Sequence, residues 1–273
     1  MAGARPEARL NHLGTRVRLD QLLVARGLFV SREQARAAIM SGAVQVDGHR
    51  QDKAGTLVSE GARVEVCGPR IPFVGRGGVK LAAALDGFGI DPTGWTVLDI
   101  GASTGGFTDC WLQRGARRVY AVDVGYGQLA ARLREDPRVA VRERVNARYL
   151  TPAVVDGQLV DAVSIDVSFI SPRLIWPSVT PLLKPGAVVV ELVKPQFEVG
   201  PARVGKGGVV RDPAAHRWAL EQARLALEQA GLGVQGVLPS PIRGAKGNRE
   251  FLLWAIRGGR AAQIDWEDAL HSE

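Results

Sequence analysis

Short apolar runs alternate with stretches of helical periodicity through most of the chain. The run at residues 96–100 is followed by a glycine-rich turn, residues 101–106, and then by a helical pattern. A second apolar run, residues 119–122, ends in Asp123. Strands that alternate with helices in this way predict an α/β fold, a Rossmann-like doubly wound sheet with right-handed crossovers.

The same patterns predict further elements along this part of the chain. Helices are expected at residues 77–87, 171–183 and 212–231, the last with Asp212 as its N-cap and Pro213 at its first position. The remaining strands are expected at residues 138–142, 161–166, 187–193, 234–238 and 251–256. The glycine-rich residues 199–210 are expected to form a mobile loop.

The N-terminal part, residues 17–66, has a different pattern. Leucines recur at helical spacing in residues 19–23, and residues 31–34 (Ser-Arg-Glu-Gln) form a capping box that starts a second helix. Valines then alternate with polar residues up to Asp47-Gly48, which is typical of a tight hairpin. Two short helices and a few strands predict a small α+β module.

Changes in pattern divide the chain into segments. Pro69 and Pro72 mark a short, stiff linker between the two folded parts. The predicted segments are a flexible basic lead-in (1–16), the small module (17–68), the linker (69–75), the doubly wound domain (76–258) and a tail (259–273) that the pattern leaves open as a helix.

Composition narrows the classes of protein. The 273 residues are 46% hydrophobic, enough for a sizeable core, and carry a formal net charge of +7. Residues 1–70 contain 11 Lys and Arg against 7 Asp and Glu, so the N-terminal quarter holds over half of the excess and favours a polyanionic partner. The two cysteines lack metal-ligand spacing and are expected to be reduced, as in a cytoplasmic protein, and no apolar run is long enough to span a bilayer.

The glycine-rich turn is the first candidate ligand site. Its glycines lack the G-x-G-x-x-G spacing of dinucleotide-binding proteins, which disfavours an NAD-dependent oxidoreductase. Asp123, at the end of the second strand, is placed to accept ribose hydroxyls. Asp99, before the turn, binds an ammonium group or, alternatively, orders the turn. A cofactor with an amino-acid head and a nucleoside tail fits both acids, and S-adenosyl-L-methionine is such a molecule.

Charged residues at strand ends are the candidates for catalysis, because ligands of such sheets bind beyond the carboxyl ends of the strands. Asp166 and Lys194 follow two predicted strands, Glu250 precedes the last strand, and Lys80 lies on the helix before the first. Taken singly, each has a plain alternative: a lysine there is usually a solvated terminus, and an acid can cap a turn.

The N-terminal pattern resembles the S4 RNA-binding module. The matching motifs are Arg-Leu-Asp-Gln-Leu-Leu at residues 18–23, Ser-Arg-Glu-Gln-Ala-Arg at 31–36 and Gly-Ala-Val-Gln-Val-Asp-Gly at 42–48. The resemblance implies an RNA-facing surface whose arginines contact phosphates. By themselves these arginines could equally be a solvated helix face. The residues assigned to RNA binding are Arg18, Arg32, Arg36 and Arg76.

The order Lys80, Asp166, Lys194, Glu250 resembles the Lys-Asp-Lys-Glu tetrad of FtsJ-type ribose 2′-O-methyltransferases, and the surrounding motifs match as well. Together with the S4-like module, residues 17–257 resemble the TlyA family of rRNA (cytidine-2′-O)-methyltransferases, some of which are called haemolysins.

The resemblance implies methyl transfer from S-adenosyl-L-methionine to cytidine ribose in ribosomal RNA. It implies ribosomal RNA or ribosomal subunits as partners, no membrane, and a monomer. Lys194 is implied as the group that removes the hydroxyl proton, with desolvation and the nearby Lys80 cation favouring its neutral form, and with Asp166 and Glu250 orienting the lysines. The implied cofactor residues are Asp99, Gly101, Ser103, Gly105, Gly106, Phe107, Asp123 and Asn146.

One departure from the family and three rival functions stay open at this point. The family often has tryptophan before valine in the linker, where this chain has Phe73 before Val74, so a linker role in cofactor binding is in doubt. The rivals are a non-catalytic RNA-binding protein, a base methyltransferase and a membrane-active haemolysin. Residues 166–169 (Asp-Val-Ser-Phe) lack the Asn/Asp-Pro-Pro-aromatic motif of enzymes that methylate exocyclic amino groups.

Overall fold

The computed structural model describes residues 15–29, 31–40, 42–67 and 72–271. It divides the chain into two compact units, of which the first ends at residue 71 and the second begins at Pro72. The predicted lead-in up to residue 14 and the predicted linker up to residue 71 lie outside the described residues.

The described residues of the first unit form two helices and five short strands. The helices are α1 (Leu19–Ala25) and α2 (Arg32–Met40). The strands are β1 (Arg16–Arg18), β2 (Val44–Val46), β3 (His49–Gln51), β4 (Leu57–Ser59) and β5 (Val64–Val66). They form a three-stranded antiparallel sheet in the order β3-β2-β5 and a separate β1-β4 pair. This confirms the predicted α+β module.

The hairpin between β2 and β3 follows from its two turn residues. Asp47 and Gly48 have φ angles of 50° and 78°, a left-handed pair that matches the twist of the flanking strands. Both helices pack on the same apolar core, in which Leu19, Leu23 and Ile39 are completely buried.

Over residues 72–271, the second unit is a doubly wound sheet of seven strands, which confirms the predicted fold class. The strands are β6 (Thr96–Ile100), β7 (Arg118–Asp123), β8 (Val139–Glu143), β9 (Val160–Ile165), β10 (Leu183–Val193), β11 (Leu232–Pro239) and β12 (Phe251–Arg257). Their order is β11-β12-β10-β9-β6-β7-β8. The five strands from β10 to β8 are parallel, and β12 runs antiparallel to both of its neighbours.

Helices cover both faces of this sheet. They are α3 (Gly77–Phe88), α4 (Gly106–Gln113), α5 (Ala131–Arg134), α6 (Trp176–Val179), α7 (Pro195–Glu198), α8 (Pro213–Gln229) and α9 (Trp266–His271). Side chains alternate along β6, so Leu98 and Ile100 join the core beneath α6 and α8, while Asp99 points to α4 on the other face.

Two local predictions were wrong. Helix α3 continues past Gly87 to a left-handed cap at Gly89, and Gly87 instead lets the helix approach β11, since a Cβ there would lie 2.4 Å from Leu238 Cδ1. Residues 171–183 form no continuous helix, because prolines without an amide proton interrupt it. They form two 3₁₀ turns around the short α6, and Leu183 already belongs to β10.

The C-terminal residues, which the sequence left between helix and tail, contain α9. Its Trp266, Ala269 and Leu270 are buried in the same core as α8. Asp212 caps α8 as predicted, its Oδ1 accepting from Ala214 N at 2.9 Å. Within the described ranges of both units, no helix is long and apolar enough to cross a membrane.

Candidate active site

Three of the predicted catalytic residues meet at one edge of the sheet. Asp166 directly follows β9, and Lys194 directly follows its parallel neighbour β10. Glu250 directly precedes β12, whose antiparallel register places Phe251 opposite Val193. Continuing that register by one position brings Glu250 beside Lys194.

Lys80 reaches the same edge from the first turns of α3. Its ammonium group donates to Glu250 Oε2, and the two side chains are only 10% and 3% exposed. A pair buried to this degree depends on both partners, because removing one leaves the other charge without compensation.

Lys194 forms the second lysine–carboxylate pair. Its Nζ lies 2.6 Å from Asp166 Oδ1 and donates to Ser168 Oγ at 2.9 Å. The Lys194 side chain is 10% exposed, while that of Asp166 is 21% exposed. The tetrad is therefore two ion pairs, in which each lysine is held by one carboxylate.

A cavity of about 530 Å³ opens at this edge, beyond the ends of β6, β7, β8 and β9. Its volume is in the range of small-molecule sites. Valine and isoleucine side chains form much of its wall, including Ile100, Val122, Val145 and Val167. The predicted residues that line it are Gly101, Ser103, Asp123, Asn146 and Asp166.

The Asp123 carboxylate is fixed by the backbone around it. Its Oδ2 accepts from Ser103 N at 2.8 Å, and its Oδ1 accepts from Gly125 N at 2.6 Å. A carboxylate offers about four acceptor positions, so two of them stay available to hydroxyl groups of a ligand. Asn146 Oδ1 accepts from Arg148 N at 3.0 Å, which leaves its amide nitrogen available as a donor.

The turn glycines have packing roles. At Gly101, φ is +84° and a Cβ would lie 2.4 Å from the Asp166 carbonyl oxygen, so the close approach of the β6 and β9 ends requires glycine. A Cβ at Gly106 would lie 2.9 Å from Gly78 N, where α4 begins against α3. Phe107, which packs on Gly77, and Gly105 also lie outside the cavity lining.

Asp99 is fully buried away from the cavity. Its carboxylate accepts from Thr108 Oγ1 at 2.6 Å and from Ser164 Oγ at 2.8 Å, and Trp111 Nε1 donates to Ser164. Burial raises the pKa of Asp99 to about 6, although the two hydroxyl hydrogen bonds oppose this shift. This network joins β6, β9 and α4, so the Asp99 carboxylate connects α4 to the sheet at a distance from the cavity lining.

The predicted RNA-binding arginines differ in their surroundings. Arg18 and Arg32 both donate to the buried carboxylate of Asp20, at 3.0 Å and 2.9 Å, while their own side chains remain almost half exposed. Arg36 is exposed on α2. In the second unit, the Arg76 guanidinium donates to the Arg243 carbonyl oxygen at 2.8 Å.

Two polar residues of the site, Ser168 and Gln128, were not predicted from the sequence, and neither were the apolar residues of the cavity wall. Ser168 bonds Lys194, and its only signal is a hydroxyl two positions beyond a strand-end acid. Gln128 lines the cavity and its Oε1 accepts from Ser103 Oγ at 3.3 Å, but it lies on a loop without any pattern that marks it.

These residues fit a ligand with a nucleoside. The apolar walls suit a planar base, Asp123 suits ribose hydroxyls, and Asp166, which is paired with Lys194, borders the cavity at the carboxyl end of β9. Residues 73–257 match the model described as FtsJ-like methyltransferase, and residues 17–64 match the S4 domain. Fold and site thus define a methyltransferase on a doubly wound α/β sheet, preceded by an S4 domain.

Similar proteins narrow this class. The 16S/23S rRNA (cytidine-2′-O)-methyltransferase TlyA of Mycobacterium tuberculosis is 48% identical over 95% of this chain and 97% of its own. A candidate rRNA methyltransferase of Bacillus subtilis, YqxC, is 46% identical over 93% and 91%. A candidate haemolysin of Streptococcus thermophilus has a solved structure with a TM-score of 0.74, at 42% identity and 93% coverage of both chains. The chain belongs to the TlyA family of FtsJ-like methyltransferases.

Proposed function

We propose that this protein transfers the methyl group of S-adenosyl-L-methionine to the 2′-hydroxyl of cytidine in ribosomal RNA. The observation that carries the proposal is the Asp166–Lys194 pair, of which Asp166 borders a nucleoside-sized cavity. The ribose and cytidine specificity is supported by the name of the relative from Mycobacterium tuberculosis.

The cavity residues fit this cofactor. Asp123 would accept the ribose hydroxyls, Asn146 would donate to the adenine edge, and the backbone at Gly101 and Ser103 would border the methionine part. When bound, the cofactor supplies an electrophilic methyl group on a sulfonium. The protein has then only to place the acceptor oxygen in line and manage its proton.

Lys194 is the residue proposed to take that proton. Asp166 Oδ1 lies 2.6 Å from its Nζ, and Ser168 Oγ accepts a hydrogen bond from it at 2.9 Å, so the nitrogen is held in one position. The ammonium group of this ion pair must first release a proton, and the resulting amine can then accept the hydroxyl proton. Lys80 and Glu250 form a second ion pair at the same edge, in which Glu250 holds the positively charged ammonium group of Lys80 in place. Such a positioned base contributes about 10²–10⁴-fold to a rate.

The first unit is proposed to bind the RNA. Its arginines are candidates for phosphate contacts, and Arg36 is the cleanest to test, because Arg18 and Arg32 also hold the buried Asp20. In Arg36→Ala, the affinity for rRNA should fall and the salt dependence of binding should weaken by about one released counterion. Filter binding at several salt concentrations measures both.

The decisive experiment is methylation in vitro. Ribosomal subunits from a strain that lacks the gene are incubated with the protein and tritiated S-adenosyl-L-methionine, and the rRNA nucleosides are identified by mass spectrometry. We expect 2′-O-methylcytidine as the product. In Lys194→Ala, the rate should be about 10²–10⁴-fold lower, with unchanged cofactor affinity by calorimetry.

Lys184→Ala is the matched control, because Lys184 lies at the other end of the same strand, β10, where it pairs with Asp161. A Lys194→Ala variant with wild-type rate contradicts the assignment, and methylation of a base instead of a ribose contradicts the function.

A further inference from the structure

Two chain segments beyond the sheet are connected by side chains along their whole length. They are the segments 166–171 and 194–198, which follow the parallel neighbours β9 and β10. The first connections are the ion pair between Lys194 and Asp166 and the hydrogen bond that Lys194 donates to Ser168 Oγ. We call residues 166–171 and 194–198 the paired segments.

The connections continue away from Lys194. The rings of Phe169 and Phe197 lie with their centroids 5.2 Å apart, and Ser171 Oγ donates to Glu198 Oε2 at 2.7 Å. The Ser171–Glu198 bond closes the far end of the paired segments, whereas Lys194 closes the near end.

Phe169 makes the far connection important. It has a φ of +66°, a conformation that is strained for a bulky residue, and its side chain is 91% exposed. Burial of the Phe169 side chain therefore contributes little to holding this backbone conformation. Val167 and Ile170 pack against the core on either side of it, and the bonds at Ser168 and Ser171 connect the segment to residues 194–198.

We propose that Glu198 is a positioning residue for methyl transfer, which acts through Ser171 to keep the paired segments together and so holds Lys194 Nζ against Asp166 and Ser168. The inference rests on the proposed function. Glu198 acts on the lysine at a distance and is not a catalytic residue.

Glu198 lies near a second buried carboxyl group, that of Glu191. Glu191, on β10, is 1% exposed and its Oε2 has no hydrogen-bond partner among the described residues. Burial, together with the neighbouring Glu198, raises the pKa of Glu191 to about 8, and burial also raises that of Glu198, against the effects of Ser171 and Arg173. The polar groups that face Glu191 are Glu198 and the Trp176 indole. At neutral pH the Glu191 carboxyl group is therefore mostly protonated, and it does not repel a negative charge on Glu198.

Kinetics test the inference. In Glu198→Ala and in Ser171→Ala, kcat for rRNA methylation should fall about tenfold, because small misplacements of a reacting group are costly, while KM for S-adenosyl-L-methionine stays unchanged. Glu198→Gln keeps a carbonyl acceptor for Ser171 and should stay within about threefold of wild type. Glu228→Ala, which removes a carboxylate from the partly exposed Arg224–Glu228 pair on α8, is the control and should leave kcat unchanged.

A double-mutant cycle separates positioning from general destabilisation. In a Lys194→Ala background, Glu198→Ala should cause no further loss of the residual single-turnover rate, because the residue being positioned is gone. A full tenfold loss in that background, or a kcat within twofold of wild type for Glu198→Ala alone, overturns the proposal.

Hydrogen exchange gives a readout that does not depend on the substrate. The amides of Phe197 and Val199 donate to the carbonyls of Lys194 and Pro195. Their exchange should accelerate at least tenfold in Glu198→Ala and return towards wild type in Glu198→Gln. Unchanged exchange in Glu198→Ala overturns the proposal, whether or not the wild-type protein methylates rRNA. If exchange accelerates but the wild-type protein methylates no rRNA, the positioning contact is supported and only the proposed function is refuted.

Discussion

Removal of the Glu250 carboxylate is the sharpest test of the way the site is held together. In Glu250→Ala, Lys80, whose side chain is only 10% exposed, loses the carboxylate that compensates its ammonium group. Breaking a buried pair in this way costs about 3–5 kcal/mol of unfolding free energy. For a unit of about 200 residues, this lowers Tm by roughly 6–20 °C.

A double variant distinguishes this cause from simple loss of packing. Lys80→Met combined with Glu250→Leu replaces the pair with apolar side chains of similar volume, and such replacements are often neutral or stabilising. We therefore expect the double variant to regain the stability that the single variant loses. It should nevertheless methylate rRNA more slowly than wild type, because the charges of the Lys80–Glu250 pair are lost from the edge of the sheet where Lys194 lies.

The second unit can be followed separately in the intact chain. All six tryptophans lie between residues 95 and 266, so their fluorescence during urea unfolding reports on this unit. The midpoint and the slope of the transition give the free energy of unfolding. A Glu250→Ala variant within 1 kcal/mol of wild type, or a double variant no more stable than the single one, would refute the reasoning about the buried pair.

Three further predictions concern other parts of the chain. In Gly101→Ala, the added Cβ would lie 2.4 Å from the backbone oxygen of Asp166. We therefore expect weaker cofactor binding by calorimetry and an unfolding free energy that is about 1–3 kcal/mol lower. Gly127→Ala is the control, because its Cβ has open space around it and only the strain of the positive φ angle is tested. Hydrogen bonding from Arg18 holds the pKa of Asp20 at about 2, below its usual 3.8, so the stabilisation that Asp20→Asn removes should be present above pH 3.8 and vanish towards pH 2, as followed by hydrogen exchange in α1. Burial raises the pKa of Glu191 from 4.5 to about 8. Between these pH values the folded protein retains a proton that the unfolded chain loses. The free energy of unfolding should therefore fall as the pH rises from 4.5 to about 8 in wild type, but not in Glu191→Gln.

Each of these predictions has a distinct contrary result. Equal losses in Gly101→Ala and Gly127→Ala would mean that crowding by the β9 end has no effect. A pH-independent effect of Asp20→Asn would mean that its charge is not the stabilising feature. Parallel stability curves for wild type and Glu191→Gln would mean that Glu191 is already ionised in the fold.

The sequence determined the local elements and the family. The run at residues 96–100, the glycines after it and Asp123 are neighbours in the chain, and backbone preferences over such short distances are strong enough to specify strand and turn. The hairpin at Asp47-Gly48 and the cap at Asp212 were predictable for the same reason. The order of four charged residues also identified the type of site, through resemblance to a known family.

Only the tertiary structure decided what these residues contact. The pairing of Lys80 with Glu250 joins residues 170 positions apart, and it depends on α3 packing against an antiparallel β12 that the alternating pattern did not indicate. Asp99 shows the same limit. Side chains alternate between the two faces of β6, and this alternation places the Asp99 carboxylate on the buried face beneath α4 and not in the cavity, where the sequence pattern had suggested a ligand. Chain patterns specify which residues end a strand, but burial and charge pairing arise from register and packing between distant elements, which no local pattern encodes.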